Sequence, residues 1–589
     1  MIVVKDIFVT PETLSNNGES AIEVRCTVFS RNENCVVTDV GLDLRHTMLD
    51  DVFPLRPDPD NLLTPSAEGV YTGRLELPRL MDAGAYRLPI VARDSKEGAG
   101  AGVSRFDVQW NPGTPPEIGT PGFAEMQEAY GGHPFVGNNR VEVLDNGQKA
   151  LDKRLAMIEG ARRQINIQTY TFEGMGMGGR LMDALLKKVD LGLEVNVILN
   201  SDSQFPSSPL SLLRLKANQL FYEWTRTGIE KQDEDKKPES FWDRILPRKK
   251  AGGLNLALFS GRSVGVPQSP AFKALVMDHW LSRMMDEKKI KPDGPQDEHL
   301  ASYSGPGGLP ALPLLDYAVH EKIMVVDGEK AIVGGRNLES AYFEHWQDLD
   351  LYAEGPVVDQ IQAGFLKNFS EIADPDTPRL PTAIYHSIPA EPGVTAQFVQ
   401  SRPWSGANNV LLTMCNAIAA CRSTFYAMSQ YLVLPGSMLR DAILEAAGRG
   451  VDVRILTNSV RTCKEVGFST AYFVTLNYLE ELLGAGVRIF EVLGNEDDKA
   501  PQPYLHNKEF VFDGRLAAVG SFNLSMRSSH IESENLLFVC DQAFAQARKE
   551  AFLRMVESQA REITKKRFQR MHEQHKTRIE MSRHLELLF

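Results

Sequence analysis

Tyr504-Leu505-His506-Asn507-Lys508-Glu509-Phe510-Val511-Phe512-Asp513-Gly514, followed by Gly520-Ser521-Phe522-Asn523, is the stretch around which the chain is organised. His506 and Lys508 stand two apart in an alternating run that ends at Asp-Gly, which places both polar side chains on one face of a strand. An imidazole beside an ammonium, among apolar neighbours, suits a phosphate better than a plain core. The spacing recurs upstream in Val319-His320-Glu321-Lys322-Ile323-Met324-Val325-Val326-Asp327-Gly328 and Gly334-Gly335-Arg336-Asn337. In both copies the Lys lies two, the Asp seven and the Asn seventeen residues after the His. Two copies at matched spacing read as halves of one site.

A larger repeat surrounds the motif. Asp183-Ala184-Leu185-Leu186 leads through Gly192 into Val195-Asn196-Val197-Ile198, and Asp441-Ala442-Ile443-Leu444 leads through Gly450 into Val453-Arg454-Ile455-Leu456, 258 residues later. Each helix, turn and strand is preceded by a further strand, from Gln164 or Thr424, which gives a βαβ unit. The expectation is an α/β fold of two homologous halves, 146–383 and 384–545, each a mainly parallel sheet flanked by helices. The βαβ units are 258 apart but the motifs only 186, so the first half carries 72 extra residues between Asn200 and His320. This insertion, within about 201–315, holds Trp224, Phe241, Trp242, Arg244, Arg248, Lys249 and Lys250. It reads either as a lid or interfacial surface or as a helical elaboration packed on the domain. The glycine run Gly174–Gly179 has the wrong spacing for a dinucleotide fingerprint and reads as a flexible strand–helix loop.

The flanks are simpler. Residues 1–112 alternate at period two in short runs such as Ile22-Glu23-Val24-Arg25-Cys26, the pattern of an all-β sandwich. Gly69-Val70-Tyr71-Thr72-Gly73 and Ala83-Gly84-Ala85-Tyr86 resemble bacterial immunoglobulin-like modules, which implies a spacer or a binding module for an unknown protein partner. Residues 113–145, rich in Gly and Pro, read as a linker, and 546–589 as one C-terminal helix with a basic cluster at Lys565, Lys566, Arg567 and Arg570. No apolar run reaches the ~18 residues that span a bilayer, and no secretory signal is seen, so a cytoplasmic or peripherally membrane-associated protein is expected. A net charge of −13 weighs against a protein that coats nucleic acid, though a local basic cleft is compatible with it. The six cysteines lack metal-ligand spacing and read as free thiols.

The paired motif H-x-K-x4-D-x6-G-[SG]-x-N resembles the signature of the phospholipase D superfamily over about residues 146–545. Gly335 stands in the first copy where the second has Ser521. The resemblance implies a pseudo-twofold pair of halves with one active site at the seam, no cofactor and no metal. It implies that His320 is the nucleophile forming a phosphohistidine and His506 the general acid; the residues themselves leave that choice open. Lys322 and Lys508, with the amides of Asn337 and Asn523, would surround a phosphodiester and its developing charge. Two histidines with opposite work need carboxylates to orient them. Asp348 lies twenty-eight residues beyond His320, and Glu534 twenty-eight beyond His506. That matched spacing favours Asp348 over Asp350. Asp327 and Asp513 end strands at Asp-Gly turns and take structural roles, while Arg527 and Ser528 shape the cleft. His345, His386 and His530 are read as ordinary. The acidic charge and the aromatic insertion favour a phospholipid substrate over the alternatives, a nuclease or a scaffold with an inactive site. Hydrolysis and phosphatidyl transfer, of the phospholipase D or cardiolipin synthase kind, share the same intermediate.

Overall fold

The computed structural model describes residues 2–31, 35–43, 52–57, 68–77, 84–96, 98–200, 253–259, 317–373, 386–390, 393–405, 407–434, 438–465, 469–497 and 499–588. Trp224, Phe241, Trp242 and the basic residues 244–250 of the insertion lie outside the described residues.

The alternation near the amino terminus builds two sheets over one core. One has the order Ile2–Thr10, Ala21–Ser30, Glu68–Glu76, Arg56–Pro57; the other is Thr13–Ser15, Ala99–Gln109, Gly84–Asp94, Val37–Asp43, Val52–Pro54. Within Ala21–Ser30 the residues Ile22, Val24, Cys26 and Val28 are buried while Glu23 and Arg25 are exposed. All six cysteines are free thiols.

Residues 113–145 correct the linker expectation. Their Pro and Gly punctuate a helix, Pro121–Gly131, with the Thr120 hydroxyl accepting from Phe123 N at 3.4 Å and Gly132 ending it at φ 78°. The strand Val136–Leu144 follows and lies in the middle of the main sheet, between Asp350–Glu354 and Val394–Ser401.

Among the described residues that sheet has sixteen strands, one of them, Ala318–Val319, lying off the main order beside Glu532–Cys540. On one side of Val136–Leu144 the order outward is Asp350–Glu354, Lys330–Gly334, Ile323–Val326, Gln164–Thr169, Glu194–Asn200, Gly253–Phe259. On the other it is Val394–Ser401, Glu532–Cys540, Leu516–Gly520, Glu509–Phe512, Thr424–Met428, Asp452–Thr457, Arg488–Val492, Ala560–Glu562. The sheet is mixed, not mainly parallel. Apart from the short pair of Ala318–Val319 with Glu532–Cys540, parallel pairing among the described residues is confined to the outer neighbours, as in Gln164–Thr169 beside Glu194–Asn200 and Thr424–Met428 beside Asp452–Thr457. Each motif strand folds back through its Asp-Gly turn into an antiparallel hairpin, and these hairpins fill the middle.

The turns explain the two motif aspartates. Asp327 and Asp513 adopt left-handed φ of 56° and 52°. Asp327 accepts from the backbone N–H of Arg162, Arg163 and Gln164 at 2.8–2.9 Å, and Asp513 from Arg422, Ser423 and Thr424 at the same distances. Each carboxylate ties its hairpin to the start of the neighbouring strand. At the seam, Val325, Val333 and Leu351 pack with Phe398, Val519 and Leu537 in one buried cluster.

The C-terminal expectation of one helix is also corrected. Gln542–Gln559 and Lys565–Ser582 are separate helices, and Ala560–Glu562 between them pairs with Arg488–Val492, covering a sheet edge. Thr564 caps the second helix by accepting from Arg567 N at 3.3 Å.

Candidate active site

Two short parallel bridges across the seam decide the site's geometry. Ala318–Val319 adds beside Glu532–Cys540 with Val319 opposite Ser533, and His320 N donates to Ser533 O at 3.2 Å. Gln347 bridges Leu505, and His506 N donates to Gln347 O at 2.7 Å. In each case the next residues along the two bridged segments stand side by side. The carboxylates are therefore crossed: His320 Nδ1 lies 3.0 Å from Glu534 Oε1, and His506 Nδ1 lies 2.7 Å from Asp348 Oδ2. Neither imidazole uses the carboxylate that follows it in its own sequence repeat.

The lysines close on the same rings. Lys508 Nζ is 3.0 Å from both ring nitrogens of His506 and donates to the His506 carbonyl at 2.8 Å. Lys322 Nζ donates to the His320 carbonyl and sits over the Tyr170 ring. All four side chains are buried. Burial holds both imidazoles well below the ordinary histidine range, and the lysine charges push the same way. Burial also pushes Lys322 down to about 8, opposed first by Glu534, and Lys508 down to about 7, opposed first by Asp348. Asp348 and Glu534 are raised, again by burial, with Lys508 opposing the first and Glu532 reinforcing the second. Burial and neighbouring charges shift all of these groups together, which is the pattern of a functional site.

The asparagines differ. Asn337 donates to the Tyr342 hydroxyl at 2.9 Å and its Oδ1 accepts from Thr169 at 3.4 Å. Asn523 is fully buried, and neither its amide nitrogen nor its oxygen has a hydrogen-bond partner among the described residues. An orphaned buried amide costs about 1–3 kcal/mol, which a bound phosphate oxygen would relieve.

Local packing explains the Gly335–Ser521 difference. A Cβ at Gly335 would sit 2.2 Å from Asp348 Oδ1, so the short carboxylate occupies the space that a side chain would need. In the second copy Ser521 keeps its hydroxyl, which accepts from Asn535 N at 3.0 Å, and the acid is the longer Glu534. Asp350 stands apart from the imidazoles. It accepts from Arg154 at 2.9 Å and from Arg336 N at 3.2 Å and Nη1 at 3.1 Å, and Arg336 also reaches the Leu144 carbonyl at 2.7 Å and that of Asp348. Ser528 donates to Glu534 at 2.6 Å and accepts from Asn523 N at 3.1 Å, while Arg527 Nε lies 2.9 Å from Glu532.

Tyr170, Tyr342, Trp346 and Glu532 escape sequence reasoning. Tyr170 meets His320 and Tyr342 meets His506 edge to face, at 5.3 and 4.9 Å between ring centroids. A signal for Trp346 and Glu532 exists: each stands two residues before a spaced carboxylate. Among the described residues His320, Glu532 and Glu534 are the group that could hold a metal ion, with ligand atoms within 4.8 Å of one another. Of the remaining histidines, His345 pairs with Glu465 at 2.8 Å, His386 is exposed, and His530 is buried, which holds it down to about 4. The glycine run forms a close contact: a Cβ at Gly178 would lie 2.3 Å from the Leu338 carbonyl, so glycine lets the helix Gly176–Asp190 approach the segment bearing Asn337.

A family profile described as cardiolipin synthase, PLD-like domain, matches residues 414–556. The chain is 24% identical over 425 residues to a cardiolipin synthase of Listeria monocytogenes serotype 4a, covering 71% of this chain and 68% of that protein. It is 27% identical over 286 residues to cardiolipin synthase 2 of Staphylococcus epidermidis, covering 47% and 56%. In fold it is similar to the crystal structure of phosphatidylserine synthase from Haemophilus influenzae Rd KW20, with TM-score 0.50 and 11% identity, over 79% of this chain and all of that one.

Proposed function

The chain belongs to the phospholipase D superfamily, and on that premise we propose that it is a phosphatidyl transferase acting on phospholipids through a phosphohistidine. The observation that carries the reading is the crossed pairing, in which Glu534 holds His320 and Asp348 holds His506 at one seam. Nδ1–H donation to a carboxylate leaves Nε2 of each ring unprotonated, and that of His506 lies 3.0 Å from Lys508 Nζ.

In the proposed reaction Nε2 of His320 attacks phosphorus and forms an N–P bond. The P–O bond to the leaving alcohol breaks as His506 gives that oxygen its proton. An acceptor alcohol then loses its proton to His506 and attacks phosphorus, and the N–P bond breaks. Water in the acceptor's place gives hydrolysis. Lys322, Lys508 and the Asn523 amide supply the positive charge and donors around the phosphate that a divalent ion supplies elsewhere, so the reaction needs no metal. His506 must carry a proton for the first step although burial disfavours it; the phosphodiester's negative charge favours that proton once bound.

Two homologous halves related by a pseudo-twofold axis account for the matched strand orders and for carboxylates exchanged in both directions. The N-terminal pair of sheets is, in this reading, an immunoglobulin-like sandwich acting as spacer or binding module. It touches the second half through Trp110 Nε1 donating to Glu445 at 2.9 Å. No helix among the described residues is long and apolar enough to cross a membrane. A phospholipid substrate brings the protein to a membrane surface, so we read the association as peripheral.

The test is to incubate the protein, in EDTA, with vesicles containing labelled phosphatidylglycerol. Transfer between two such lipids yields cardiolipin and free glycerol. Phosphatidic acid alone would indicate hydrolysis, and cleavage of single-stranded DNA with no lipid product would overturn the reading.

A further inference from the structure

The two motifs cross the seam with different middle residues. In the first copy Val319 pairs with Ser533 of the second half, while Ile323 pairs with Val333 and Gln168 of the first. Residues 320–322 therefore pass from one half to the other between two stretches of strand. Glu321, in the middle, is fully buried and is held by its side chain. One carboxylate oxygen accepts from Gln168 Nε2 at 3.1 Å and from Asn368 Nδ2 at 2.7 Å, both in the first half. The other accepts from Gln400 Nε2 at 2.7 Å, and Gln400 belongs to Val394–Ser401 in the second half. Gln400 stands opposite Asn535, and its neighbour Ser401 opposite Glu534, the carboxylate that faces His320 Nδ1 at 3.0 Å. One side chain thus ties the two halves together a single residue away from the His320–Glu534 contact.

The second copy lacks this tie. Its middle residue is Asn507, whose Nδ2 lies 3.6 Å from Met428 Sδ in the same half, and whose Oδ1 has no hydrogen-bond partner among the described residues. The motif folds and crosses the seam there without an acid, so the crossing itself does not require one.

We propose that Glu321 is a positioning residue: holding Gln168 and Asn368 with one oxygen and Gln400 with the other, it sets the separation between His320 and the strands that carry Glu534. The proposal rests on His320 being the phosphoryl acceptor. Forming an N–P bond depends on reach and on the line of attack, and a displacement of about 1 Å can cost about 10²-fold in rate. His506 passes a proton, which a bound alcohol can meet over the ordinary spread of hydrogen-bond lengths. The copy that must form a covalent bond is the one that carries the clamp.

The experiment uses the full chain with isotope-labelled histidine, as wild type, Q400L, E321D and N507A. Two quantities are measured: the Nδ1 proton resonance of His320, assigned by its loss in H320A, and kcat and KM on a soluble bis-nitrophenyl phosphate. Q400L removes only the arm that crosses the seam, and E321D draws the carboxylate back by one methylene. Each should move or broaden the His320 resonance and lower kcat by about 10²-fold with KM little changed. The double variant should be little worse than either, since both act on one contact. N507A should leave the His320 resonance in place. A folded Q400L with the wild-type resonance and kcat, whatever its melting temperature, would overturn the proposal, because Glu321 would then serve packing alone. An equal effect of N507A on His320 would do the same. Should E321D fail to fold, Q400L decides. The resonance is read without turnover: a chain in which it moves as described but which transfers no phosphatidyl group loses the functional reading and keeps the clamp.

Discussion

Nδ1 of His320 lies 3.0 Å from Oε1 of Glu534, 214 residues further along the chain, and the mirror contact joins His506 to Asp348 at 2.7 Å. The crossing gives the two acids separable work. In the proposed mechanism D348N disturbs the imidazole that protonates the leaving alcohol, so turnover of a phospholipid should fall by about 10²–10⁴-fold. With a nitrophenol leaving group, which departs without a proton, the loss should be much smaller. E534Q disturbs the proposed nucleophile and should lower both rates alike. Measuring both variants on both substrates checks this, and equal losses for D348N would contradict the assignment.

The lysines set an alkaline limit. Burial pushes Lys508 down to about 7 and Lys322 to about 8, so raising the pH through this window removes the charges proposed to bind the phosphodiester. kcat/KM, which reports the free enzyme, should fall above pH 7–8. A bound phosphate favours the charged amines, so the corresponding limb in kcat should lie at higher pH. K508R, whose guanidinium stays charged, should lose the lower of the two steps whatever its absolute rate. A profile unchanged in K508R would remove Lys508 from the account.

Gly335 tests the packing around Asp348 directly. A Cβ there would lie 2.2 Å from Asp348 Oδ1, so G335S should displace the carboxylate and cost about as much activity as D348N. The double variant should be little worse than either single one, because both act on one contact. S521G loses the hydroxyl that accepts from Asn535 N, a contribution of about 0.5–1.5 kcal/mol to stability, and a side-chain hydrogen bond to Glu534. Additive losses in the G335S/D348N pair would contradict the shared mechanism.

Much of this site is legible in the sequence because the chain states it twice. Spacing alone brings out His320, Lys322, Asn337 and their counterparts, and it separates Asp348 from Asp350 and the turn-forming Asp327 from the cleft. The crossing is not legible, since it depends on Val319 bridging Ser533 and Leu505 bridging Gln347, contacts set by strand order across the seam. Composition misleads at 113–145, where Pro121 and Gly132 serve as helix ends, and where Val136–Leu144 joins the two runs of the sheet. Period-two and βαβ patterns also overstate parallel pairing, because they do not register the hairpins that Asp327 and Asp513 clamp. Glu532 goes unnoticed for want of a counterpart: its equivalent is the apolar Trp346.

Asp350 and Asp348 should separate in stability. Asp350 is fully buried between Arg154 and Arg336, and breaking such a buried pair costs about 3–5 kcal/mol. D350N should lower the melting temperature sharply and reduce activity only as far as the fold is lost. D348N should lose activity with a much smaller fall in melting temperature. Thermal melts of the two variants beside their residual turnover provide the comparison.

The most direct measurement of the central claim is the mass of the peptide bearing His320 after H506A meets a short-chain phosphatidyl ester of nitrophenol in EDTA, with an alkaline quench. The good leaving group departs without help, while the missing general base slows breakdown of the adduct. The account predicts a phosphatidyl group on His320, its absence when His320 is also replaced, and no effect of the chelator. An adduct on another residue, or one that forms only when Mg²⁺ is restored, would contradict it.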